Sequence, residues 1–258
     1  MSKEHISFSE LKTWNECAWR HKLDYIDKLK VFKGNEFTAF GKAIHTVGET
    51  LVFESDREAE EIFESEFLKE LRLLKEDDKT FVFNSSLVTE MRSQGTKLAP
   101  QLIPGLKEYF DSHEIVEVEE MLYEPLENSK YKFKGYIDLI VKKNNEYYII
   151  DWKTCSWGWP AKKKTDRILT YQLTLYKHFY AKKHGIDPSK IKTCFALLKR
   201  TAESNQVEIF EVKCGPKKVD NALKLIEKLL YNVEKQNFIK NKLSCKYCPY
   251  DNTKHCIK

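Results

Sequence analysis

Apolar residues along the chain follow two different periods, and the change between them divides it. Near the start, Ser7-Phe8-Ser9-Glu10 has the form of a capping box, with Ser7 placed for the first free amides and Glu10 to reach back. Leu11, Trp14, Trp19 and Leu23 then recur at helical spacing on roughly one side. A second helix is predicted over Glu36 to Phe53. A third covers about Arg57 to Leu74, with Ile62, Phe63, Phe67 and Leu71 on one face and charge on the other. A further helical stretch runs from Leu87 to Phe110, kinked or broken near Pro100 and Pro104.

From Ile115 to Leu122 the period falls to two, apolar alternating with acidic, as in a half-buried strand. Tyr131 to Val141 and Tyr147 to Thr154 read as two more strands, joined by the turn-like Lys143-Asn144-Asn145-Glu146. A helix from about Asp166 to Lys183 ends before Gly185. Strands over Lys192 to Leu198 and Gln206 to Val212 precede a last helix, opening at Pro216 and running to about Gln236. The order predicts an α/β fold, a mixed central sheet flanked by helices. It divides into a mainly helical region over 1–112, an α/β core over 113–236 and a cysteine-rich tail over 237–258.

The 258 residues suffice for one large domain, and recurring aromatics and branched aliphatics exclude disorder as the main state. No run of eighteen apolar residues is present, so no membrane span is expected. Met1-Ser2-Lys3-Glu4-His5 lacks the apolar core of a secretory signal, which places the chain in the cytoplasm as an expectation. A net charge of +5, from 44 basic and 39 acidic side chains, permits nucleic-acid binding without requiring it. More informative is the compact run Lys162-Lys163-Lys164 with Arg167, with Lys199-Arg200 a smaller one.

The chemistry concentrates in Gly135-Tyr136-Ile137-Asp138 on one predicted strand and Asp151-Trp152-Lys153 on the next. If the two strands are hairpin neighbours, both carboxylates leave the same end of the sheet. Paired acidic oxygens favour a hard divalent ion such as Mg²⁺ or Mn²⁺. Such an ion polarises a phosphodiester and acidifies its bound water. Asp151 and Lys153 are two residues apart, so strand alternation puts them on one face. An Asp-x-Lys alone is equally a solvated salt bridge. The apolar run Tyr147-Tyr148-Ile149-Ile150 argues instead that the pair ends a buried strand, where sites form in α/β folds.

Four motifs in order now give a specific likeness: Gly41-Lys42-Ala43-Ile44-His45 with Glu49, Gly135-Tyr136-Ile137-Asp138, Asp151-Trp152-Lys153-Thr154, and Gln172-Leu173-Thr174-Leu175-Tyr176. Together they resemble the RecB-like branch of the PD-(D/E)XK nuclease superfamily, which includes AddB and the CRISPR spacer-acquisition nucleases. The resemblance implies a phosphodiester hydrolase that cuts DNA with Mg²⁺ or Mn²⁺, as an exonuclease on ends or single strands. A structure-selective endonuclease and a catalytically inactive DNA-binding or assembly protein are the alternatives. His45, Asp138 and Asp151 are the implied metal ligands, the Trp152 carbonyl a candidate further one, and Lys153 the catalytic lysine. Glu49 is a weaker candidate ligand, or a partner orienting His45.

By the same resemblance Gln172 and Tyr176 contact DNA or support Lys153. Lys162, Lys163, Lys164 and Arg167 stand just before them, suited to phosphate contacts. Trp157 and Trp159 are candidates for base stacking or for core packing. Glu119 and Glu120 lie where related enzymes carry an additional acid, and an exposed strand face explains them equally well. A separate helicase, or a recombination or CRISPR-adaptation protein, is an expected partner beside DNA.

Seven cysteines is an odd count, and in the reducing compartment expected here a disulfide framework is not predicted, but their distribution is uneven. Cys245, Cys248 and Cys256 crowd the tail, while Cys17 stands near the other end. Four thiolates match an iron–sulfur cluster or a structural Zn²⁺, the latter with His255 as an alternative ligand. The resemblance favours a [4Fe–4S] cluster tying the two ends together, although Ala18 stands where the family has proline. Cys155, Cys194 and Cys214 read as small buried apolar groups.

Overall fold

The computed structural model describes residues 4–29, 31–54 and 57–257. Met1, Ser2 and Lys3, part of the segment read as lacking a secretory signal, lie outside them. Nine α-helices and six strands are named here: β1 (His5–Ser7), α1 (Phe8–Glu16), α2 (Ala18–His21), α3 (Glu36–Phe53), α4 (Ala59–Asp77), α5 (Ser85–Leu98), α6 (Leu102–Phe110), β2 (Glu114–Pro125), β3 (Lys132–Lys143), β4 (Glu146–Cys155), α7 (Ala161–Lys164), α8 (Arg167–His184), β5 (Ile191–Lys199), β6 (Val207–Glu211) and α9 (Pro216–Glu234). No helix among the described residues is long and apolar enough to cross a membrane.

The strands form one mixed sheet in the order β1-β3-β4-β5-β6, with β2 on the other edge of β3. The β2–β3, β3–β4 and β5–β6 pairs are antiparallel, whereas β1–β3 and β4–β5 are parallel. Each face carries its own core. Leu11 of α1, Leu173 and Phe179 of α8 and Ile226 of α9 pack on one side against Phe133, Ile137 and Phe195. Phe40 and Ile44 of α3, Phe63 and Phe67 of α4, Met91 of α5 and Leu102 of α6 pack on the other against Leu139, Ile150 and Trp152. The helical N-terminal part thus contributes to both layers.

Two features of the first segment differ from the expected pattern. The helix carrying Leu11 to Leu23 is interrupted at Cys17, whose extended backbone (φ −161°, ψ 113°) turns α1 into α2. The capping box is half formed. Ser7 accepts from the Glu10 amide (3.3 Å), but the Glu10 carboxylate lies on His21 Nε2 (2.7 Å), with both side chains buried. A buried carboxylate gains more from a charge-assisted partner than from a chain end near solvent. The helix over Leu87 to Phe110 breaks at a short tight turn, Ala99–Gln101, containing Pro100. Pro104 sits in the first turn of α6, where its missing N–H costs no helical bond. Strand β1 escaped the periodicity reading because three residues are too short to show alternation.

Candidate active site

The site forms where the sheet comes apart. Strand β1 pairs with Lys132–Lys134 of β3, and β4 pairs with the same edge only over Leu139–Lys143. Residues 135–138 lie between the two partners. Asp138 and Asp151 come just beyond the last β3–β4 pair, Leu139 with Ile150, where the strands splay. The gap lets the Trp152 amide donate sideways to Asp138 Oδ2 at 2.7 Å instead of entering a ladder.

Alternation also slips here. Ile137 faces the α8 side, yet Leu139, two residues on, faces the α3 side. Strand β2 stays in register here, Val118 opposite Leu139 and Glu120 opposite Ile137, but it too changes face, with Val118 on the α3 side and Leu122, four residues on, on the α8 side. Between them Glu119 adopts φ 52°, a left-handed conformation uncommon for a non-glycine residue within a strand. This paired slip puts acidic side chains at the junction of both cores.

Asp151 is 1% exposed and Asp138 9% exposed, so both carboxylates are nearly removed from water. Lys153 Nζ lies 2.6 Å from Asp151 Oδ2, and Gln172 Nε2 donates to Asp151 Oδ1 at 2.7 Å and to the Tyr176 hydroxyl at 3.2 Å. Asp151 Oδ2 is buried and faces the Lys153 ammonium in a close ion pair. Gln172 therefore supports Asp151 rather than Lys153. His45 Nδ1, from α3, stands 3.7 Å from Asp138 Oδ2, and its ring also bonds the Trp152 carbonyl.

Burial, then the neighbouring Asp151, pushes the Asp138 carboxyl well above its ordinary range, against the pull of Lys153 and the Trp152 amide. Asp151 is also raised by burial, with Lys153 opposing. Burial and the Lys153 charge bring His45 down to about 4, so its imidazole is neutral at physiological pH, the form that ligates metals. Glu49, one turn further along α3, is pushed up to about 7 by burial and by its hydrogen bond and repulsion with Glu119. Glu119 is raised by burial while that bond lowers it, and it also feels Asp151. Two acidic groups share a proton beside the paired aspartates.

The predicted residues fall into distinct places. His45, Glu49, Asp138, Asp151, Trp152, Lys153, Gln172 and Tyr176 converge. Of the two glutamates on β2, Glu119 joins them, whereas Glu120 pairs with Lys183 (2.7 Å) and His184 (2.9 Å) on α8. No three His, Cys, Asp or Glu side chains among the described residues stand at metal-holding distances. Asp138 Oδ2 is turned to the Trp152 amide and Asp151 to Gln172 and Lys153. The donor set nonetheless fits a hard cation, because two adjacent carboxylates removed from water are costly without positive charge to compensate them.

Gly135 explains why its motif begins with glycine. A Cβ there would lie 2.7 Å from Tyr176 Cε1, so the Tyr176 ring needs the bare backbone to reach Gln172. In the basic run, Lys162 and Arg167 are exposed, but the Lys164 ammonium is held by Glu208 and the Lys163 ammonium lies 4.6 Å over the Trp159 ring. Lys164 is thus neutralised rather than presented to a ligand. Trp159 is buried against Phe195 and Phe210, which assigns it to the core, while Trp157 is 76% exposed.

Cys17, Cys245, Cys248 and Cys256 line one pocket with Trp19, Leu23 and Tyr250, and none of the four is in a disulfide among the described residues. The two chain ends are joined there by Trp19 Nε1 to the His255 carbonyl (3.0 Å), Asn241 Nδ2 to the Glu16 carbonyl (2.8 Å) and Tyr250 OH to Asp24 Oδ1 (2.7 Å). Cys194 and Cys214 are buried as expected, while Cys155 is half-buried.

A sequence model of the PD-(D/E)XK nuclease superfamily matches residues 5–253. No curated protein sequence matches the chain. Among solved structures, a candidate exonuclease from Eubacterium rectale superposes with a TM-score of 0.60 at 12% identity, covering 97% of this chain and 89% of the other. The protein SSO0001 aligns with a TM-score of 0.45 at 16% identity, covering 97% and 85%.

Proposed function

Because the chain belongs to the PD-(D/E)XK nuclease superfamily, we propose that it is a cytoplasmic Mg²⁺- or Mn²⁺-dependent deoxyribonuclease acting as an exonuclease on DNA ends or single strands. The observation that carries this is the convergence of two buried carboxylates, Asp138 and Asp151, with Lys153 and a neutral His45. A bound divalent ion supplies Lewis-acid polarisation of the phosphodiester and a more acidic water. Asp138, Asp151, His45 and the Trp152 carbonyl offer the donors that hold it, with Glu49 and Glu119 at the margin. Lys153 directs its ammonium toward the phosphate and stabilises charge developing there. Gln172, backed by Tyr176, holds the Asp151 carboxylate in place. The name of the Eubacterium rectale neighbour supports the exonuclease reading. Lys162 and Arg167 supply phosphate contacts before α8.

The thiols of Cys17, Cys245, Cys248 and Cys256 hold a [4Fe–4S] cluster in this reading, joining the ends of the chain. Their common pocket supports it, and Lys240 and Lys242 around that pocket suit an anionic centre. Protein purified without oxygen should be brown and contain iron. Colourless protein with one bound zinc would assign the structural metal instead.

For the activity, end-labelled linear DNA and closed circular DNA are incubated with wild type and Lys153→Ala, with Mg²⁺, with Mn²⁺ and with EDTA. Metal-dependent loss of linear DNA alone is expected. Cutting of the circle would indicate an endonuclease, and no cutting of either would sink the catalytic reading.

A further inference from the structure

We infer that Arg200, Phe37 and Trp157 form a strand-holding subsite for the nucleic acid, separate from the metal site and a few nucleotides along the strand from it. This rests on the nuclease reading above and specifies how its substrate is held. Two of the six arginines are half-buried, Arg20 and Arg200. Arg20 is paired with Glu16 and Asp24. Arg200 has no carboxylate within 4 Å among the described residues. Its Nη1 donates to Gln94 Oε1 (2.6 Å), its Nη2 to Ser156 Oγ (3.0 Å), and its guanidinium lies 5.2 Å over the Phe37 ring. Every one of those partners is neutral.

A half-buried cation fixed by neutral groups keeps its full charge and is already immobilised, so an arriving phosphate meets an oriented fork. The loop is held as well: the Arg200 amide donates to the Cys155 carbonyl (2.9 Å) and the Thr201 amide to the Ser156 carbonyl (3.1 Å). By contrast, the neighbouring Lys199 ammonium is paired with Glu208 (3.4 Å).

The position relative to the metal site follows from two elements. Phe37 and His45 are both on α3, eight residues or ~12 Å of helix apart, which spans a few nucleotides at the ~3.4 Å rise of a duplex strand. Between them Gly41 packs against Thr154, the residue after Lys153, with only 3.5 Å from its ideal Cβ to Thr154 Oγ1. On the β4 side, Ser156, the Arg200 partner, is followed by Trp157. Phe37 is 48% exposed and Trp157, the residue after the Arg200 partner Ser156, 76% exposed, so aromatic surface is open to solvent on both elements that hold a guanidinium with no carboxylate partner. Aromatic faces with a cation bind single-stranded nucleic acid by stacking and phosphate contact, without reading sequence.

The test uses the full chain with Ca²⁺ in place of Mg²⁺, and measures anisotropy of a fluorescein-labelled oligothymidylate as a function of salt. Arg200→Gln should weaken binding roughly ten-fold, as expected for losing one charge-assisted contact, and reduce the salt slope by about 0.7. Trp157→Ala should weaken binding by about ten-fold with the slope unchanged, from loss of one stacked base. It alters only a solvent-exposed side chain, so it serves if Arg200→Gln does not fold. Both variants should raise KM for cleavage in Mg²⁺ while kcat stays within about two-fold, because neither group reaches the reacting phosphate. Wild type that binds while both variants match it in affinity and slope overturns the subsite alone. Wild type that neither binds nor cuts overturns the subsite together with the nuclease reading.

Discussion

The carboxylate centre and the cysteine pocket are both assembled from distant parts of the chain, yet they are held in unlike ways. Around Asp138 and Asp151, five elements (α3, β2, β3, β4 and α8) are fixed by strand register and by two apolar cores. The site pays for that with buried charge, a left-handed Glu119 and carboxyl groups shifted upward. The cysteine pocket lies in short turns at the chain ends, joined by single hydrogen bonds and flanked by Leu243 and Tyr247, which are 95% and 85% exposed. Its apolar backing is local, with Trp19, Leu23 and the fully buried Tyr250. The first region keeps its arrangement whatever it binds, because the sheet imposes it. If the thiols hold a metal, order in the second depends on it, as in small folds where metal binding supplies folding energy.

Opposite responses to mutation test this contrast. The largest effect expected is on turnover: Lys153→Ala should slow cleavage of linear DNA by at least ~10²–10³-fold, the loss typical of a charge-stabilising donor. Asp138→Asn should abolish cleavage too, yet raise the melting temperature in EDTA at pH 8, since it removes a buried charge and keeps an acceptor for the Trp152 amide. A lower melting temperature would mean that Asp138 is needed for the fold.

Cys245→Ser should do the reverse, lowering the melting temperature and removing iron while the folded fraction retains its turnover number. Unchanged melting and metal content would show that the pocket orders itself without a metal. Next comes Gly135→Ala, whose Cβ must displace Tyr176 from 2.7 Å. Overpacking of this kind costs about 1–3 kcal/mol, or roughly 2–12 °C in a domain of this size. Part of the turnover should go with it as Gln172 loses its support. Calorimetry and single-turnover kinetics on one preparation would separate the two losses.

The smallest effect expected is with pH. Glu49 titrates near 7 in the folded protein and near its ordinary, lower value when unfolded. The folded state therefore holds more protons between those values, and Glu49 makes the metal-free protein less stable as pH rises from about 4.5 to 7. Glu49→Gln should gain stability relative to wild type over that window and level off above it. Saturating Mg²⁺ should shrink the difference. A difference independent of pH would remove Glu49 from the coupled acidic group.

Much of this was legible from residues alone. Period-two and helical spacings located every strand from β2 to β6 and the long helices, because each buries one continuous face. The motifs from Gly41 to Tyr176 marked the site because metal-assisted hydrolysis needs acids, a cation and a neutral ligand in one place, which restricts the residue types. Three things could not be read that way. The slip of alternation at Asp138 and Glu119 leaves no mark in a strand that is apolar on both sides, yet it brings Glu119 into the site and sends Glu120 to α8. The loss of Lys164 to Glu208 and the freedom of Arg200 depend on which partners the fold supplies, since a charge in sequence carries no record of its counter-ion. The sheet edge shared by β1 and β4 joins residues more than a hundred positions apart. Sequence determined which acids, cations and neutral donors are available to the candidate site. Tertiary structure decided which of their oxygens and charges remain unpaired, because register and burial choose the partners.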